Sequence, residues 1–161
     1  MLRRFIKTIH VCLNRVLASV GRLLPLDYWR REASRWLDDS LEDLRVAEDL
    51  LRDEHYSASC FHSQQAAEKA VKATLYLNRV EAKGHSILEL LESLGRTAGL
   101  GLEELYGDAR LLDKHYAPPR YPNLHPSVSV PTYKLYSRED SERCIDSARK
   151  IVNYMKRLLE S

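Results

Sequence analysis

Apolar residues recur at spacings of three and four along most of the chain, the period of a helix that buries one face. In the first segment Leu2, Phe5, Ile9, Leu13, Val16, Val20 and Leu23 form such a stripe, with Arg4, Lys7, Arg15 and Arg22 opposite. From about Tyr28 to Glu54 the stripe is Ala33, Trp36, Leu37, Leu41, Leu44, Ala47 and Leu51. A second long helix is predicted from about Ser57 to Asn78. A third follows Ser86 through Ile87, Leu90, Leu91 and Leu94, and a fourth runs through Leu102, Leu105, Ala109, Leu112 and Tyr116. Ser86 with Glu89 reads as a capping box for the third helix. Ser137 with Asp140 reads as another for a last helix built on Ile145, Ala148, Ile151 or Val152, Met155 and Leu159. Residues 117–136 hold five of the six prolines and read as a loop. Its "SVSV" is the one candidate strand, and the flanking Pro126 and Pro131 argue against it. The pattern predicts an all-α fold: an antiparallel up-and-down bundle of about five helices over residues 27–161, preceded by a basic amphipathic helix over residues 1–26. Trp36, Leu44, Ala67, Val71, Leu91, Leu112, Ile145 and Met155 are expected in the core.

Length fits this picture, since 161 residues suit one domain with a single core. Charge adds an asymmetry. The net +2 arises because residues 1–31 carry seven Arg or Lys against one acid, Asp27, while the remainder holds 18 bases and 22 acids. Lys7, His10 and Arg15 interrupt the first segment too often for a transmembrane span, and it lacks the apolar run and cleavage site of a secretory signal. Such a helix suits a membrane surface, nucleic acid or another helix, and packing on its own domain or on a dimer mate is the plainest use. Cys12, Cys60 and Cys144 are odd in number, far apart in sequence and without a CxxC pair, so neither a disulfide framework nor a metal site is expected. A reducing, cytoplasmic location and no cofactor follow as expectations. There is no Glu-x-x-His pair for a di-iron bundle, no Gly-rich phosphate loop and no HExxH.

The second helix poses the sharper question. Cys60, Ala66, Ala67, Ala70, Val71, Ala73, Thr74 and Leu77 cover one half of it, mostly with small residues that permit close helix approach. His62, Gln64, Gln65, Glu68, Lys69 and Lys72 fall on the other half. A solvated face explains Gln65, Lys69 and Lys72, and a boundary hydrogen bond explains His62; a binding surface would need the same residue types.

Two stretches resemble a known family. "FHSQQAAEKAVKATL" is similar to the signature helix of the HEPN (higher eukaryotes and prokaryotes nucleotide-binding) family, and "LDKHYAPPRYPN" resembles the family's second signature, a Tyr-Ile-Pro-Thr-Arg-Tyr-Pro-Asp loop before the last helix. The chain has Ala117, Pro119 and Asn123 where that loop usually has Ile, Thr and Asp. The resemblance covers about Tyr28 to Leu159. It implies a homodimeric helical bundle working with a minimal nucleotidyltransferase in a two-protein, toxin-antitoxin-like system, and some members are ribonucleases that act without metal.

In that ribonuclease branch an Arg and a His with four to six residues between them meet at the dimer interface, the His suited to take a proton and the Arg to hold phosphate charge. This chain offers Arg110 with His115, followed by Tyr116, and Arg120 with His125. In a regular helix Arg110 and His115 would lie about 140° apart, so they converge only if the helix ends between them or a second subunit contributes. The last helix begins "REDSERCIDSARK", without His. The alternative reading is therefore a metal-independent endoribonuclease acting as a dimer, with Arg110, His115 and Tyr116 as its catalytic residues. The favoured reading is a nucleotide- or partner-binding module, with His62, Gln65, Lys69, Lys72, Arg120 and Tyr121 as binding residues: Arg120 for phosphate, Tyr121 for base stacking, and the lysines for added charge. Twenty loop residues stiffened by proline would hold Arg120 and Tyr121 in fixed positions. The competing structural role for them is a clamp in which Tyr121 is buried and Arg120 pairs with Glu68 or Asp113.

Overall fold

The computed structural model describes residues 25–161, so the amphipathic helix expected over residues 1–26 lies almost wholly outside the described residues. Five α-helices are present among them: α1 Leu26–Arg52, α2 Tyr56–Leu77, α3 Ile87–Ala98, α4 Tyr106–Asp113 and α5 Arg138–Glu160. No strand occurs among the described residues, and Val128 and Val130 of "SVSV" are exposed. α1 and α2 form an antiparallel hairpin whose tight turn places Glu54 at φ 64°, and α5 packs along both, mainly on α2. α3 and α4 close the remaining side of α2.

Small residues on α2 let the long helices approach, and hydroxyls tie them together. Ser40 donates to the carbonyl of Ala66 at 2.7 Å. Ser141 on α5 donates to Ser59 at 2.5 Å, and Ser59 to the carbonyl of Ala47 on α1 at 2.8 Å. The core around these contacts includes Leu44, Ala67, Val71, Leu91, Leu112, Ile145 and Met155, as the periodicity predicts. Trp36 is the exception: it is only half-buried and stacks on Tyr76, while Trp29, one turn before Ala33, is buried instead.

Helix ends follow their capping residues. Ser137 and Asp140 form the reciprocal box at the start of α5, which holds the Asp140 carboxyl below the ordinary carboxylate value through hydrogen bonds from Ser137. At α3 Ser86 accepts from the backbone of Glu89 at 3.3 Å, but Asp113 supplies the further cap: its carboxylate accepts from the backbone N–H of Ile87 at 2.6 Å and of Leu88 at 3.2 Å. α3 stops at Gly99, whose φ of 68° is the left-handed conformation that favours glycine. The predicted fourth helix is divided: a 3₁₀ turn, Glu103–Leu105, leads into α4, which ends at Asp113, before His115 and Tyr116. The long connection to α5 contains two 3₁₀ turns, Pro122–Leu124 and Thr132–Leu135.

Candidate functional site

The polar half of α2 is not a solvated face. Gln64, Glu68 and Lys72 are buried, one helical turn apart. Lys72 Nζ lies 2.8 Å from Glu68 Oε1 and 5.2 Å from the centroid of the Trp36 ring. Gln64 donates to Glu68 at 3.1 Å and to the carbonyl of His85 at 3.0 Å, and Gln65 donates to Gln64 at 2.6 Å. His85 Nδ1 donates to Glu68 at 3.1 Å. One carboxylate thus gathers an ammonium, an imidazole and an amide, the degree of satisfaction a buried charge requires.

A second ion cluster joins α2 to α1. Asp43 accepts from His62 Nδ1 at 2.9 Å and lies 2.6 Å from Lys69 Nζ. Burial pushes the Asp43 carboxyl up, but hydrogen bonds from His62 and Lys69 outweigh it and hold the group below its usual range. His62, Gln65, Lys69 and Lys72 are therefore all engaged within the subunit.

The loop residues are arranged differently. The Arg120 guanidinium lies 4.5 Å from the centroid of the Phe61 ring, 4.9 Å from Tyr116 and 5.0 Å from Tyr121. Its Nε donates to the carbonyl of Tyr116 at 3.0 Å. No carboxylate among the described residues pairs with it, and both Arg120 and Tyr121 are exposed. The clamp with Glu68 or Asp113 is not formed, because Glu68 serves Lys72 and His85 while Asp113 caps α3. The loop backbone beneath the guanidinium is fixed by Ser57, which donates to the carbonyl of Pro119 at 2.8 Å, and by His125 Nε2, which donates to the carbonyl of Pro118 at 3.0 Å. Tyr116 also stacks on His85, with centroids 4.4 Å apart, linking the Arg120 cage to the buried Glu68 cluster. A cation held by ring faces keeps its outer N–H groups for a ligand, in the fork geometry that suits phosphate.

Arg110 and His115 enter different surroundings within one subunit. Arg110 is exposed, its guanidinium 6.0 Å from the Tyr106 ring. His115, beyond the end of α4, is half-buried edge-on to Tyr136, and its Nδ1 is buried without a hydrogen-bond partner. A ring nitrogen of His115 and the Sγ atoms of Cys60 and Cys144 all lie within 4.8 Å of one another. Cys60 and Cys144, far apart in sequence, are thus brought together by the packing of α2 on α5. A hydrogen bond from Cys60 and the neighbouring His115 lower the Cys144 thiol to about 6, and the Cys60 thiol is pushed up because it donates that bond and is buried. Burial beside these thiols pushes the Tyr136 phenol up to about 12.

Sequence reasoning missed Phe61, Glu68 and His85. Phe61 and Glu68 lie inside the quoted signature helix, and the Gln64–Glu68–Lys72 spacing of four was the available signal. His85 follows Gly84 in a short connection and carried none.

Comparison with known proteins agrees with this architecture. The HEPN domain profile matches residues 33–158. The protein named "Putative toxin MJ1304" from Methanocaldococcus jannaschii is 32% identical over 127 residues, covering 74% of this chain and 82% of its own. A solved structure from Thermus thermophilus superimposes with a TM-score of 0.70 at 36% identity, covering 78% of this chain and 97% of that one. A structure described as an archaeal HEPN homologue gives a TM-score of 0.65 at 32% identity, covering 80% of this chain and 98% of that one. The HEPN domain protein of Thermotoga maritima gives 0.61 at 34% identity, with coverage of 78% and 98%. With both signature stretches in place on this bundle and nearly its whole described length matched, the chain belongs to the HEPN domain family.

Proposed function

We propose that this chain is a toxin-type HEPN protein that acts as a homodimer beside a minimal nucleotidyltransferase partner and binds a nucleotide or nucleic-acid phosphate at Arg120 and Tyr121. The observation that carries the reading is the exposed Arg120 guanidinium in its cage of Phe61, Tyr116 and Tyr121, free of any acid among the described residues. A phosphate bound there meets a cation already ordered by packing, so little side-chain entropy is lost on binding. Tyr121 stands beside it to stack on a base. The toxin assignment draws on the relative's name. The nucleotidyltransferase partner draws on the family resemblance and a cytoplasmic location on the cysteine pattern; no helix among the described residues is long and apolar enough to cross a membrane. Exposed apolar residues concentrate in the same loop, where Tyr121, Leu124, Val128, Val130 and Tyr133 follow one another, and a dimer mate or partner would cover them.

The alternative, an endoribonuclease using Arg110, His115 and Tyr116, draws less support: His115 turns toward two thiols, and Tyr116 is engaged by His85 and Arg120. The test is titration of ATP and of a short 5′-phosphorylated single-stranded RNA into the native chain and Arg120→Ala. Binding by the native chain that weakens by about 1–3 kcal/mol in Arg120→Ala, roughly 5- to 150-fold, supports the phosphate site. Equal binding by both proteins contradicts it, and RNA cleavage that disappears in His115→Ala favours the ribonuclease.

A further inference from the structure

We infer that Cys60, His115 and Cys144 form a binding site for one thiophilic divalent cation, of which zinc is the type. The three side chains come from α2, the segment after α4, and α5, so no sequence motif joins them, yet their ligand atoms lie within 4.8 Å of one another. In a tetrahedral zinc site with two sulfurs and one nitrogen, neighbouring ligand atoms are about 3.5–3.8 Å apart. Closing onto a metal therefore requires movements of only about 1 Å, within the reach of side-chain rotation. The donor set selects the ion: two sulfurs and an imidazole suit zinc, whereas magnesium and calcium require oxygen.

Charge favours this occupant over an empty pair of thiols. When both thiols bind, two protons leave and two thiolates offset the charge of the cation, giving a neutral site in a buried setting. Both cysteines are buried, while His115 is half-buried, so the histidine side supplies the entry path and the open fourth position. A disulfide between Cys60 and Cys144 would leave the nearby imidazole without a role, and its Nδ1 is buried without a hydrogen-bond partner. The site would also tie the binding loop to the bundle. Phe61 follows Cys60 and Tyr116 follows His115, and both rings pack on Arg120. A metal joining Cys60 to His115 holds two walls of that cage together.

Cobalt and zinc titrations of the full chain test this, in a Cys12→Ser background that removes the remaining thiol. One equivalent of Co²⁺ should bring up a thiolate-to-cobalt charge-transfer band, which Zn²⁺ abolishes by displacement. Zn²⁺ should also raise the melting temperature. Cys144→Ser and His115→Asn should each weaken Zn²⁺ binding by more than about 100-fold, beyond what loss of an outer partner costs. If Cys144→Ser loses its helical circular dichroism, His115→Asn, at the half-exposed corner, carries the comparison. No charge-transfer band in the reduced parent overturns the inference, as does Zn²⁺ binding of unchanged affinity in the folded variants. Thiol titration and mass spectrometry showing a Cys60–Cys144 disulfide in protein purified without reductant and resistant to Zn²⁺ would replace the metal site by a redox pair.

Discussion

Two cation-bearing regions of this bundle, α2 and the loop around Arg120, differ in how their charges are satisfied. On α2 every charge is answered: Lys72 by Glu68, Glu68 also by His85 and Gln64, and Lys69 with His62 by Asp43. Around Arg120 the neighbours are three ring faces and one carbonyl. A buried charge needs opposite charge and hydrogen bonds within the protein, and a change to either partner falls on stability. An exposed guanidinium seated on rings is ordered without being neutralised, and the proposed phosphate site predicts that its change falls on binding. Cations that look alike in the sequence thus differ in their surroundings, and the difference is visible only in their partners.

The largest effect should come from Glu68→Gln, which leaves Lys72 buried without a counter-charge. A loss of about 3–5 kcal/mol is expected, lowering the melting temperature by roughly 6–20 °C. A melting curve unchanged by this substitution would break the distinction between the regions. Next comes Asp113→Ala, which uncovers the backbone N–H groups of Ile87 and Leu88 at the start of α3 and should cost about 2 kcal/mol in urea unfolding.

Ser137→Ala removes one side of the α5 box and should cost about 1 kcal/mol. Its partner adds a pH signature. The Asp140 carboxyl is held below its ordinary value of 3.8, so its contribution is complete above that pH and is lost as pH falls through the lower folded value. Asp140→Asn should therefore flatten the acid limb of a stability-pH profile below about pH 4. The smallest effect belongs to Arg120→Ala: loss of an exposed cation–π contact is about 0.5–1 kcal/mol, a shift of only a few degrees.

The helical architecture was legible because the apolar period and the punctuation agreed. Ser86 and Ser137 cap the helices they were read to cap, and Gly99 stops α3. The misreadings share a physical cause. A helical wheel assigns polar residues to water, but Gln64, Glu68 and Lys72 are spaced to satisfy one another, and Trp36 and His85 from other segments complete their burial. The fourth helix ends at Asp113, whose carboxylate caps the start of α3, a use that no local pattern encodes. For the candidate site, Arg120 and Tyr121 were legible as loop residues, whereas the cage was not, since Phe61 comes from the other signature stretch. Cys60 and Cys144 meet only through the packing of α2 on α5.

The most direct test is a crossed measurement of binding and stability on two variants, Arg120→Ala and Glu68→Gln, with the 5′-phosphorylated RNA and ATP as ligands. The predicted result is reciprocal: Arg120→Ala loses roughly 5- to 150-fold in affinity with a melting temperature within a few degrees of the native chain. Glu68→Gln melts at least roughly 6 °C lower and binds with native affinity at temperatures where it is folded. If Arg120→Ala instead melts far below the native chain and binds as tightly, the cage is a structural fastening and the phosphate-site account is contradicted.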